Sequence, residues 1–400
     1  LLPTESKELS SGVTIGGIDS SDKVSIATAF NKHFIGAVKR LRDAVGASIV
    51  SVACTIKSNV AVSSRVRQFH FKEVSVNFTL RQLRDLKTGK AAGLDNIPLR
   101  LLKDTADIVA TPLTIIINAS LRQGRVPDDW KSSRVIPLFK KGKTENLDNY
   151  RPISILPTAS KLLERIVHKQ VGDYLREHNI LSPYQCGFRK HHSTEFAALS
   201  LADTIRRNIE QGRLTAAVFI DFRKAFDSID HQLLLNKLSA LGIANQEYAW
   251  FESYLHQRTQ SVGYQGVFSE PEFITTGVPQ GSILGPMLFV MYVNDLANVV
   301  RNCSILMYAD DTVLFFANSD ISVIQEKLND DLRLMGTWLR DNCLFLNTSK
   351  TASMVFGSHA RLARVCEFNI TTNDCAIKCV TEFRYLWDPF RRMYYVEISC

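Results

Sequence analysis

The sequence predicts an α+β protein, and three observations carry that prediction. Apolar residues in the first half recur at every third or fourth position over long stretches, with basic residues between them. After Gly212 the period changes: Leu214-Thr215-Ala216-Ala217-Val218-Phe219-Ile220 is a nearly unbroken apolar run of strand length, as in a strand covered on both faces. Further on, two apolar runs flank a pair of acids in Leu306-Met307-Tyr308-Ala309-Asp310-Asp311-Thr312-Val313-Leu314-Phe315-Phe316. A helical first domain followed by a sheet-containing second one, dividing near 212, accounts for all three.

Taken in order, residues 1–21 are rich in Ser, Gly and Thr and read as a disordered lead-in. Val24, Ala27, Phe30, Phe34, Val38, Leu41 and Val45 then form one apolar stripe opposite Lys32, Lys39, Arg40 and Arg42, which predicts a helix. Helices follow near 78–88, 98–123, 159–178 and 194–211. The second of these opens with Asp95, Asn96 and Pro98, ends before Gly124, and must be kinked or divided by Pro112. Between them, Arg134–Phe139 and Tyr150–Ile155 read as two strands around the basic loop Lys140-Lys141-Gly142-Lys143. Residues 122–143 carry seven basic side chains against two acidic ones. The buried sheet is expected to join 214–220 with 260–263, 304–309, 312–317 and 352–356. Its helices are expected at 230–241, 245–256, 286–299 and 321–341.

Composition narrows the function classes. With 400 residues, 45% of them hydrophobic and 22% charged, the chain falls in the globular range, which excludes intrinsic disorder, collagen and a disulfide miniprotein. A net charge of +8 favours a polyanionic partner. No run approaches the roughly 18–20 apolar residues of a membrane span, and no signal peptide opens the chain, so a soluble intracellular protein is expected. Eight irregularly spaced cysteines point to reduced thiols. Cys366, Cys375 and Cys379, with His359 nearby, match no paired zinc pattern.

The acids carry the chemistry. Adjacent carboxylates between apolar strands are costly without cations, and Asp310 and Asp311 can face one site only at a hairpin turn. The bland alternative is an ordinary Asp-Asp turn. Asp221 has the same setting, at the end of the run 214–220. Two strand ends bearing outward carboxylates could hold two divalent ions roughly 3.5–4 Å apart, a site suited to in-line phosphoryl transfer. Mg²⁺ (or Mn²⁺) fits such oxygen donors, and no His or Cys stands beside the acids.

These residues carry a family resemblance. Phe219-Ile220-Asp221-Phe222-Arg223-Lys224-Ala225-Phe226-Asp227, Gly277-Val278-Pro279-Gln280-Gly281-Ser282-Ile283-Leu284-Gly285-Pro286 and Tyr308-Ala309-Asp310-Asp311 stand in the order of reverse transcriptase motifs. Upstream, Lys87-Thr88-Gly89-Lys90-Ala91-Ala92-Gly93-Leu94-Asp95, Asn149-Tyr150-Arg151-Pro152-Ile153-Ser154 and Gln185-Cys186-Gly187-Phe188-Arg189 extend the match; downstream, Leu346-Asn347-Thr348-Ser349-Lys350-Thr351 does so. Over residues 80–357 the chain resembles the reverse transcriptase of non-LTR, LINE-type retrotransposons.

The resemblance implies a right-hand polymerase with helical fingers over 22–213 and a ferredoxin-like antiparallel palm over 214–360. It implies an RNA-directed DNA polymerase that extends a DNA primer or nicked target DNA on an RNA template, using dNTPs and two ions. Asp221, Asp310 and Asp311 become the metal-binding catalytic triad, with the Phe222 carbonyl as a further ligand. Phe226 becomes the aromatic gate against a 2′-hydroxyl, though a plain core role stays open. Gln280, Arg151 and Lys140 are assigned to the incoming nucleotide, and Lys350 to the departing pyrophosphate. Arg189, Lys190, Gly281, Tyr308 and Tyr385 are assigned to template and primer. The family places such proteins in the nucleus and in cytoplasmic ribonucleoprotein.

The pattern fails after Glu382-Phe383-Arg384-Tyr385-Leu386, where the family has Gly and this chain has Trp387. Residues 361–400 therefore read as a primer-grip region with an aberrant end and no thumb, in a fragment that also lacks an endonuclease. The rival readings are a degenerate or domesticated RNA-binding copy without polymerase activity, and a group II intron maturase-like reverse transcriptase.

Overall fold

The computed structural model describes residues 14–45, 67–89, 91–189, 192–372 and 375–386. The expected features at Lys90, Lys190 and from Trp387 onward lie outside these residues. The described chain forms two compact units that interleave in sequence. The first contains the residues up to His178 together with Asp230–Leu288, and the second contains Asn179–Ile229 together with the residues from Phe289 onward. This differs from the consecutive division at 213/214, because the chain leaves the second unit after Ile229 and returns to it at Phe289.

In the first unit, order begins before the expected lead-in ends. Thr14–Ile15 and Ile18–Asp19 form an antiparallel hairpin around Gly16 and Gly17, both left-handed (φ 60° and 80°), which is the geometry of a two-residue turn. Ile15 is the anchor: it is buried with Ile26, Phe30, Phe34, Val135, Tyr150 and Val262. The helix Lys23–Val45 supplies Phe30, whose ring meets Tyr150 edge-on at 4.8 Å. Ser132–Phe139 and Tyr150–Ile155 pair antiparallel, with Phe139 opposite Tyr150, so the basic hairpin is present.

The strand Arg258–Tyr264 runs parallel to Ser132–Phe139 and belongs to this sheet, which corrects the placement of 260–263 beside 214–220. The polar residues of this strand explain the choice. Gln260 Nε2 donates to Asn31 Oδ1 at 2.9 Å, and Ser133 Oγ donates to the Thr259 carbonyl at 3.1 Å, so these groups are satisfied against this unit's own residues.

The expected helix 98–123 divides at Thr105 into Leu99–Asp104 and Ala106–Gln123, while Pro112 stays inside the second piece. Pro112 is exposed, so water can reach the carbonyl that loses its N–H partner. Gly124, left-handed at φ 64°, ends the helix as anticipated.

The second unit is built on a six-stranded sheet. Its order is Ser304–Tyr308, Asp311–Asn318, Leu214–Ile220, Ala352–Phe356, Cys375–Cys379, Ile370–Thr372. All neighbours are antiparallel except Ala352–Phe356 with Cys375–Cys379, which are parallel. Every residue of Leu214–Ile220 is buried, as its unbroken apolar run requires. Thr194–Glu210, capped by the Ser193 hydroxyl accepting from the Phe196 N–H, adds Leu201 and Ile205 to a core with Ala217, Phe219, Val313 and Met354. Among the described residues no helix is long and apolar enough to cross a membrane.

Candidate active site

The sheet order explains why the three acids meet. Leu214–Ile220 and Asp311–Asn318 are neighbours, with Ile220 opposite Thr312, so Asp221 and Asp311 leave the same end of adjacent strands. Ser304–Tyr308 and Asp311–Asn318 form a hairpin in which Tyr308 faces Asp311, leaving Ala309 and Asp310 as the two turn residues. Ala309 is left-handed at φ 57°, which a non-glycine residue adopts only at a cost.

The electrostatics follow from this placement. Asp311 remains open to solvent, yet partial burial, then the nearby charges of Asp310 and Asp221, push its carboxyl up to about 6. Like charges held this close favour a cation among them. Asp221 is fixed from several directions: Asn347 Nδ2 donates to its Oδ2 at 2.6 Å, and the Asn347 N–H donates to its carbonyl at 2.8 Å. The Asp221 N–H donates to Thr351 Oγ1 at 3.3 Å, and Lys350 Nζ lies 3.9 Å from Oδ2. Asn347 lies in the segment Leu346-Asn347-Thr348-Ser349-Lys350-Thr351, where the sequence points to Lys350 and not to Asn347.

Among the described residues no three His, Cys, Asp or Glu side chains close into a ready-made metal cage. The donor set is an open one of carboxylates at strand ends. That suits Mg²⁺, which is commonly held by one or two carboxylates together with water and substrate phosphates.

Other expected residues of this unit surround the acids unevenly. Phe226 is half-buried and stacks on Phe289 with centroids 4.9 Å apart, so its ring is fixed without being engulfed. Phe222 is buried and pairs across to Leu346. Tyr385 is half-buried and packs against the core at Phe219, 5.5 Å between centroids, with its hydroxyl buried and lacking a hydrogen-bond partner. Burial, and after it the charge of Asp311, push the phenol above its ordinary range. The ring of Tyr385 is thus packed against the core, with its hydroxyl turned inward. Arg189 is also turned inward, its Nη1 donating to the Ser182 and Gln185 carbonyls at 2.8 and 2.9 Å, so it ties a loop together rather than presenting those N–H groups to a template.

In the first unit, Arg151 is exposed on Tyr150–Ile155, and the Lys140 N–H donates to the Asn149 carbonyl at 2.8 Å where the basic hairpin begins. The Gln280 carbonyl accepts the Ser154 N–H at 2.7 Å. Gly281 is left-handed at φ 127°, and a Cβ there would sit 2.3 Å from the Ser154 carbonyl oxygen, so only glycine fits.

Glu164 holds this loop, and the sequence reading missed it. Its Oε2 accepts the N–H of Ile283 at 2.5 Å and of Leu284 at 3.4 Å, and its Oε1 accepts the Tyr254 hydroxyl at 2.9 Å. Burial pushes the Glu164 carboxyl up, while Arg258 opposes that shift. The signal was present: Ser160, Glu164, Val167 and Val171 share one buried face of the helix Thr158–Glu177.

Comparison with known proteins agrees with these motifs. The family model for reverse transcriptase (RNA-dependent DNA polymerase) matches residues 139–386. The probable RNA-directed DNA polymerase from transposon BS of Drosophila melanogaster is 32% identical over 293 residues, covering 71% of this chain and 32% of that protein. The RNA-directed DNA polymerase from mobile element jockey of the same species is 31% identical over 273 residues, covering 66% of this chain and 29% of that protein. A putative 115 kDa protein in the type-1 retrotransposable element R1DM, also from Drosophila melanogaster, is 30% identical, covering 71% of this chain and 27% of that protein. The chain therefore spans about a third of the length of these relatives. On the match over residues 139–386 and the ordered motifs around Asp221, Gln280 and Asp310, the chain belongs to the reverse transcriptase family, in its non-LTR retrotransposon branch.

Proposed function

We propose that this chain is the core of an RNA-directed DNA polymerase that extends a DNA 3′-end on an RNA template and serves retrotransposition. The observation that carries the reading is the meeting of Asp221, Asp310 and Asp311 at one end of adjacent strands, close enough for two of them to raise the third. Its antiparallel core strands support a ferredoxin-like palm, and the basic hairpin around Lys140 supports fingers of a right-hand polymerase.

In this reading the three carboxylates, with the Phe222 carbonyl, would hold two Mg²⁺ or Mn²⁺ ions. Bound there, the ions would lower the pKa of a primer 3′-hydroxyl and neutralise the triphosphate. The protein's own contribution is placement. Asn347 and the Thr351 hydroxyl hold Asp221 from two sides, so its carboxylate does not have to reorganise when charge develops. Lys350, beside Asp221, supplies positive charge toward a departing pyrophosphate. The stacked ring of Phe226 selects against a 2′-hydroxyl, and Arg151, Lys140 and Gln280 bind the incoming nucleotide. RNA template, DNA primer or nicked target DNA, and dNTPs are the partners this chemistry requires.

Primer extension on poly(rA)/oligo(dT) with dTTP and Mg²⁺ or Mn²⁺ tests the proposal. Elongation is expected from the chain, with a loss on the order of 10³-fold or more in Asp310→Asn. Elongation by Asp310→Asn at the parent rate would remove the three acids from the site.

A further inference from the structure

The turn that carries Asp310 and Asp311 is held from behind by one side chain. Gln185 Oε1 accepts the Ala309 N–H at 2.9 Å and the Gly187 N–H at 2.7 Å. Two N–H groups converge on that atom, so it is the oxygen; the amide nitrogen in its place would face two donors. The neighbouring backbone continues the attachment. The Met307 N–H donates to the Tyr184 carbonyl at 2.9 Å, and the Cys186 N–H donates to the Met307 carbonyl at 2.7 Å, a short parallel bridge between Gln185 and Met307. Gly187 has no room for a side chain, since a Cβ there would lie 2.2 Å from the Ala309 nitrogen.

This arrangement is a poor way to gain stability. Gln185 is fully buried, yet its Nε2 has no hydrogen-bond partner, and the hydroxyls of Thr312 and Tyr385 are buried and unpartnered as well. Thr312 follows Asp311 in the chain. A buried donor left unpaired costs free energy, and residues under selection for stability alone would not gather three such groups around one turn. A carboxylate in place of the amide would accept the same two N–H groups but would set a fourth negative charge beside three acids. A neutral acceptor with one idle donor avoids that. Ala309, left-handed without being glycine, sits in a costly conformation, and the Gln185 bond to its N–H opposes its relaxation.

We infer that Gln185 is a positioning residue for the reaction, acting through Ala309 to fix Asp310 and Asp311 where the two strands can present them together. This rests on the polymerase reading, and the experiment separates the two. Gln185→Met keeps the length and removes the acceptor. Gly187→Ala leaves Gln185 in place and pushes the same turn from the other side.

Both variants are compared with the parent chain by circular dichroism, by amide hydrogen exchange of the peptide spanning 305–313, and by steady-state dTTP addition on poly(rA)/oligo(dT). The expected result is faster exchange confined to that peptide and a fall in kcat of about 30-fold, with KM for dTTP held within about threefold, because the acids are misplaced while nucleotide binding elsewhere is kept. Gln185→Met that keeps kcat within about twofold of the parent overturns the inference, as does unchanged exchange at 305–313. If Gln185→Met loses its folded spectrum, Gln185→Glu, which keeps an acceptor for both N–H groups, decides by exchange: protection at 305–313 as in the parent supports the inference, and faster exchange there in a folded chain overturns it. A parent chain that adds no nucleotide defeats the polymerase reading, and the exchange data still decide whether Gln185 holds the turn.

Discussion

Two of the turns among the described residues, one behind the acids and one beside Gln280, are each held by one buried side chain that accepts two backbone N–H groups, and the two acceptors differ in charge. Behind Ala309 it is the neutral amide of Gln185; behind Ile283 and Leu284 it is the carboxylate of Glu164. The difference follows from the surroundings. Glu164 faces Arg258, whose guanidinium lies over the Tyr254 ring at 4.9 Å, and it caps the start of the helix Gly285–Tyr292, where backbone N–H groups favour negative charge. Gln185 stands behind a turn crowded with Asp310 and Asp311, where another negative charge would oppose those already present. A charged acceptor thus serves where a cation and a helix start compensate it, and a neutral one serves beside the acids.

The comparison breaks first at Glu164. Glu164→Met leaves the fully buried Arg258 without its counter-charge and orphans two N–H groups, so the first unit should lose about 3–5 kcal/mol in denaturant unfolding. Replacing Arg258 by Met as well should return part of that loss, since removing both of two opposite buried charges is milder than leaving one uncompensated. A single variant as stable as the parent would remove Glu164 as the anchor of the Gln280 loop.

The acids behave in the opposite sense. Asp311 has a folded pKa of about 6, above its unfolded value, so the folded state binds more protons between pH ~4 and ~6. Without divalent ions, stability should therefore fall as pH rises through that window. Asp311→Asn should match the parent at pH 4 and exceed it at pH 7 by at most about 1 kcal/mol, because solvent screens this exposed carboxyl. A parent chain more stable than Asp311→Asn at pH 7 would contradict the crowding of the three acids.

The smallest effect belongs to the turn itself. Ala309→Gly should stabilise the hairpin by about 0.5–1 kcal/mol, because glycine accepts φ 57° without the Cβ penalty, and thermal melting would register it. Destabilisation would show that the left-handed residue is held by something other than backbone geometry and the Gln185 bond.

How far these regions were legible depends on the range of the forces that shape them. The strand Leu214–Ile220, the acids at its end and around the hairpin, and the helices Lys23–Val45 and Ile321–Asp341 follow from local period and polarity, which a sequence displays directly. The partner of Arg258–Tyr264 does not, since a short run with buried polar residues is placed by distant groups such as Asn31. The role of Gln185 is not legible in its own motif, because its partner Ala309 lies 124 positions away. The inward hydrogen bonds of Arg189 and the packing of Tyr385 against Phe219 are not legible either, because a sequence does not show a polar side chain folding back onto its own loop or sheet. The early hairpin at Thr14–Asp19 was legible, in the pair Gly16-Gly17 between two isoleucines, but the surrounding Ser and Thr hid it.

The central claim is that the chain keeps three mutually repelling carboxylates together because divalent ions and a triphosphate use them. Thermal melting of the parent and of Asp310→Asn, each with and without Mg²⁺ and dTTP, tests it most directly. Mg²⁺ with dTTP should raise the parent's Tm, as binding to the folded state must, and raise that of Asp310→Asn little or not at all. An equal rise in both proteins would contradict it.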